Sequence, residues 1–78
     1  MAELSKDWHD RTRGLLRAEL ARRNISNRQL VGLLAGIGVK ESEQNISNKL
    51  ARGSFNAVFL VQVLDAIGCR VLRLKEDE

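Results

Sequence analysis

Between Ile25 and Gly53 the sequence ISNRQLVGLLAGIGVKESEQNISNKLARG carries start and stop signals for two short helices in tandem. That punctuation constrains the fold more than any other stretch. Ser26 is placed to act as an N-cap, Gln29 follows three residues on as its capping-box partner, and Ile25 and Leu30 take the two positions of a hydrophobic staple. Leu30, Val31, Leu33 and Leu34 then form an apolar stripe at nearly helical spacing. The pattern predicts a helix over about 27–36, stopped at Gly36 or Gly38, where glycine tolerates the positive φ of a C-terminal cap.

A second N-cap, Ser42, opens a helix over about 43–52 with Gly53 as its stop. Only Ile46 and Leu50 are apolar at core spacing, so most of this helix faces water or a ligand. Its outer side carries Gln44, Asn45, Ser47, Asn48, Lys49 and Arg52, with Glu43 at the start. Asn and Ser are mediocre helix formers, and a merely soluble surface is usually built from Glu, Lys and Arg. Base-edge recognition would account for them, since an amide offers donor and acceptor on one plane and pairs bidentately with adenine.

The flanking segments read as helices too. Over about 6–23, starting at Ser5 or Lys6, Trp8, Leu15, Leu16 and Leu20 share a face interrupted by Thr12 and Glu19, with five arginines mostly elsewhere and Asn24 as the stop. Trp8 is assigned to the core or an interface, and His9, without a second His or Cys at ligand spacing, to the solvated surface. Over about 55–67 a helix capped by Ser54 is apolar almost all round, through Phe55, Val58, Phe59, Val61, Leu64 and Ile67, which predicts a central position. After Gly68 the residues Cys69, Arg70, Val71, Leu72, Arg73 and Leu74, continuing to Lys75, read as a strand over about 69–75. A lone strand in a helical chain needs a partner for its backbone groups. The same strand of a second copy would supply one, so residues 69–74 are the expected homodimer interface, with a tail lying on its own domain as the alternative.

Seventy-eight residues without proline, repeat or linker make one domain, spanning residues 1–78, close to the lower size limit for an independent core. Oligomerisation would support it. A single cysteine, Cys69, excludes an internal disulfide, and no stretch resembles a signal peptide or a membrane span, so a cytoplasmic protein is expected. The net charge is +3, and because Lys75 to Glu78 carry one positive and three negative charges, the first 74 residues hold +5. Such a balance suits a polyanion partner.

The order of elements, with the words ISNRQL, NISNKLARG and AVFLVQVLDAIG, resembles the Cro/phage-repressor class of helix-turn-helix domains, often called XRE-like. The segments LRAELARR, GVKESEQN and RGSFNAVFLVQVLDAIG, covering about Gly14 to Leu74, look more closely like a family of small bacterial domains with no assigned function. The wider resemblance implies an all-α, compact four-helix, lambda-repressor-like domain. With Ile46 as the buried anchor it puts a phosphate contact on Asn27 and base-reading positions on Glu43, Gln44 and Asn48. Glu43 would accept from cytosine N4 or serve only the helix dipole. Arg52, Ser54 and Asn56 fall where the class grips the DNA backbone. The chain departs from the class in one respect: Ala35 to Glu41 makes the connection between the second and third helices several residues longer.

These readings converge on a sequence-specific binder of double-stranded DNA, a homodimeric transcriptional regulator reading the major groove with residues 43–52. Base contacts are expected from Glu43, Gln44, Asn45 and Asn48, and phosphate contacts from Asn27, Arg28, Ser47, Lys49, Arg52, Ser54 and Asn56. The alternative is a protein-interaction module of antitoxin or adaptor type on the same fold. The sequence has no phosphate loop, metal-ligand spacing or paired nucleophile and base, so no enzyme, cofactor, metal or small-molecule substrate is expected.

Overall fold

The computed structural model describes the backbone of residues 2–74 and the side chains of residues 8–74. Four helices follow one another: α1 (Ala2–Arg22), α2 (Asn27–Gly36), α3 (Glu43–Arg52) and α4 (Ala57–Ala66). Each contributes one pair of fully or nearly fully buried residues four positions apart: Leu16 and Leu20, Leu30 and Leu34, Ile46 and Leu50, Phe59 and Val63. That spacing aligns two side chains on one side of a helix, and burying each stabilises the fold by about 1.5–3 kcal/mol. α2 packs against both α3 and α4, and α1 packs against α3.

The ends of the helices are set locally. Asn24, Gly38 and Gly68 all have positive φ. At each, the backbone closes the same double bond: Ile25 N–H to Leu20 O and Asn24 N–H to Ala21 O after α1, Val39 N–H to Leu34 O and Gly38 N–H to Ala35 O after α2, and Cys69 N–H to Leu64 O and Gly68 N–H to Asp65 O after α4. These are Schellman caps, in which the left-handed residue lets two orphan carbonyls be satisfied. α3 ends differently, with Gly53 at φ 67° and one bond from its N–H to Lys49 O.

Several expectations are corrected. α1 begins at Ala2 rather than at residue 5 or 6, because Ala2, Glu3 and Leu4 are good helix formers and nothing before Ser5 breaks the helix. Trp8, expected in the core or at an interface, is 57% exposed and covered in part by the Arg11 guanidinium 4.7 Å above its ring, which excludes the core. α4 is capped by Asn56, whose side chain accepts from Phe59 N–H at 2.8 Å, and not by Ser54. The later start gives the chain room to reverse after Gly53 and leaves Phe55 just ahead of the cap, where its ring meets that of Phe59 edge-on at 5.3 Å. Nor is α4 surrounded: Val58 and Val61 are each 62% exposed.

No strand occurs among the described residues. Residues 69–74 run as irregular chain beside α1, and Lys75 lies outside the described residues. Within one chain there is no second edge for this segment to pair with, and Cys69 N–H is already taken by the cap of α4.

Candidate nucleic-acid interface

Ser42 accepts from Asn45 N–H at 3.0 Å and so starts α3, with Glu43 in the first turn and Lys49 and Arg52 in the last, each sign matched to the helix dipole. Ile46 and Leu50 turn inward and hold α3 to the core. Glu43, Gln44, Asn45, Ser47, Asn48 and Arg52 are all exposed. Gln44 and Asn48 are one turn apart, and Gln44 Nε2 donates to Asn48 Oδ1 at 3.2 Å. The bond ties the two side chains together while leaving each a further donor or acceptor for a ligand.

The start of α2 has the full capping box: Ser26 Oγ accepts from Gln29 N–H at 3.1 Å and Gln29 Oε1 accepts from Ser26 N–H at 2.8 Å. The Gln29 amide is thereby spent on the cap. Asn27 is half-buried and Arg28 exposed. Asn27 shares a shallow groove with Arg17, Ala21, Ser26 and Leu50, so that α1, α2 and α3 meet there. Arg17 is exposed, and sequence reasoning passed over it because nothing local links a mid-helix arginine to a residue ten positions on.

Lys49 stands apart from the other expected phosphate contacts. Its Nζ is 2.7 Å from Glu41 Oε2 and 4.4 Å from the centroid of the Phe59 ring, so its charge ties the α2–α3 connection to α3 and α4. Glu41 belongs to that connection, and Val39 within it is half-buried, so the added length is anchored at two points. Asn56 is committed as a cap, whereas Ser54 is exposed. Of the expected interface residues, Cys69 and Leu72 are half-buried and Arg70, Val71, Arg73 and Leu74 are exposed.

α3 is fixed to α1 by a contact that needs a glycine. Gly53 is buried against the His9 backbone, where a Cβ would collide with the His9 carbonyl oxygen and lie 3.2 Å from Arg13 Cβ. Arg13 pairs with Asp10 and donates from Nη1 to Ala51 O in the last turn of α3. Sequence reasoning assigned Gly53 only as a stop; the close approach leaves no separate signal.

Among the described residues no group of three or more His, Cys, Asp or Glu side chains is placed to hold a metal, and no helix is long and apolar enough to cross a membrane. A family model described as "Domain of unknown function (DUF6471)" matches residues 8–72. No curated protein and no solved structure matches the chain.

Proposed function

The chain belongs to the DUF6471 domain family, and from that premise and the character of α3 we propose that it is a sequence-reading DNA-binding protein. It acts as a homodimer, most simply as a transcriptional regulator. One observation carries the reading: α3 spends two residues on the core and exposes Gln44, Asn45, Ser47 and Asn48, a polar amide-rich face that packing does not require. Gln44 and Asn48 read base edges in the major groove, and Asn45 and Glu43 flank them. Arg28, Arg52, Ser47 and Ser54 meet phosphates, together with the accessible edge of Asn27. Lys49 acts through Glu41 and Phe59, holding the reading helix in position. Two such helices in one dimer would enter successive major grooves about 34 Å apart. Exposed Val71 and Leu74 on the tail supply apolar surface for a contact between copies.

Selection of bound sequences from a random duplex library at two salt concentrations tests this. The expected result is a two-part, roughly palindromic motif whose recovery falls steeply with salt. Replacing Gln44 and Asn48 together by alanine should flatten the preference at the contacted positions by about 1–3 kcal/mol per lost contact, with sequence-independent binding retained. An unchanged preference sinks the assignment of α3 as reader. Absence of retention at either salt would favour a protein-interaction module, for which the exposed Val58 and Val61 of α4 offer a surface.

A further inference from the structure

The exposed line Gln44–Asn48 of α3 has two flanks, and different elements border them. Residues three apart on a helix of 3.6 per turn are offset by roughly 60°, so Asn45 and Ala51 lie to opposite sides of Asn48. Asn45 shares a groove with Val31, Val39, Lys40 and Ser42, which puts the α2–α3 connection on its side. On the other side Arg13 of α1 donates from Nη1 to Ala51 O, and a second groove joins Arg17, Ser26 and Asn27 to Leu50. That flank therefore belongs to α1 and the start of α2.

On each flank one cation is committed within the fold and one is open. Lys49 is held by Glu41 Oε2 at 2.7 Å and by the Phe59 ring, and Arg13 by Asp10 and Ala51 O. Lys40 and Arg17 are exposed, and neither pairs with a described residue. A helix about 10–12 Å across fills a major groove about 12 Å wide, so the phosphates of the two strands stand beside its two flanks. A cation on each flank then meets a different strand. We propose that Lys40 and Arg17 are phosphate contacts that straddle α3, one to each strand of the groove it enters. Arg17 offers paired donors to its phosphate, beside Asn27, and Lys40 a single point charge. The inference rests on α3 as the reading helix, and it gives the long α2–α3 connection a use, since that segment carries Lys40 to the flank of α3.

Binding isotherms of the full chain on a duplex of about 20 base pairs, taken over a range of salt, test this. Arg17→Gln and Lys40→Gln should each lower the slope of log affinity against log salt by about 1, and the pair by about 2, with the preference among sequences unchanged. Arg11→Gln is the control: it removes the same charge from the side of α1 that faces the tail and should leave the slope as it is. Both test residues are exposed, and thermal melting checks that the variants stay folded. Neutral methylphosphonate linkages, placed singly along each strand, then locate the contacts. The linkage that no longer weakens binding of Arg17→Gln should lie on one strand, and the one that no longer weakens binding of Lys40→Gln on the other. A slope unmoved in either single variant, an equal fall with Arg11→Gln, or both linkages on one strand overturns the proposal. The reading helix survives such a result if Gln44→Ala with Asn48→Ala still flattens the sequence preference. Wild-type protein with no salt-dependent retention of the duplex removes that reading, and the straddle with it.

Discussion

The two halves of α1 carry contacts of opposite kinds. Toward the N-terminus, His9 and Arg13 receive the end of α3 through backbone against backbone, with no room for a side chain at Gly53. Toward the C-terminus, Glu19 forms ion pairs with Arg22 and Arg23 within α1, and the same carboxylate accepts from Cys69 Sγ of the tail at 3.7 Å. A steric fit depends on shape and ignores pH and salt, whereas an ionic clasp depends on both and tolerates changes of size. The candidate reading helix hangs from the steric end.

The largest expected effect comes from breaking the steric end. Gly53→Ala adds a Cβ inside the His9 carbonyl and forces an L-residue to φ 67°. It should destabilise the protein by about 3 kcal/mol or more, lowering the melting temperature by about 12 °C or more. Urea unfolding measures this, and a loss below about 1 kcal/mol would mean that the two helices separate easily.

Next comes the ionic end. Glu19→Gln weakens two charge-assisted hydrogen bonds and should cost about 2 kcal/mol at neutral pH. Because the folded carboxyl lies below its ordinary value of 4.5, the stabilisation is fully present above that value and fades as pH falls through the lower, folded one. Stability curves of the wild type and Glu19→Gln should therefore run apart at neutral pH and approach each other below about pH 4. Parallel curves down to pH 3 would rule out the clasp as an ionised pair.

The smallest effect isolates the polar contact from Arg13 to α3 at the steric end. Arg13→Ala removes the donor to Ala51 O and the exposed pair with Asp10, and should cost about 1 kcal/mol. If its cost matched that of Gly53→Ala, the polar contact and not the glycine would be what holds α3.

Much of the fold was legible because its signals are short-range. The capping box at Ser26, the cap at Ser42 and the left-handed stops at Gly38, Gly53 and Gly68 involve partners within about five residues, so sequence spacing carries them. The exposed polar face of α3 was equally readable, since two apolar positions four apart leave only one side to bury. Reading failed where two signals of equal local strength competed. Ser54 and Asn56 are both good caps, and the choice of Asn56 follows from the reversal after Gly53 and the seat of Phe55 against Phe59. It failed again where apolar character was taken for burial, since Trp8, Val58 and Val61 remain largely exposed.

By itself, then, the sequence determined four helices, most of their ends, and the buried pair of α3. Capping and helical periodicity are properties of adjacent residues and need no tertiary context. Tertiary structure alone decided which side of α4 stays bare, that Lys49 is held by Glu41 and Phe59, that Gly53 must have no side chain, and that arginines 22, 23, 70 and 73 share one groove. Each of these joins residues from different elements. Their meeting depends on how the helices pack, and no local pattern records it.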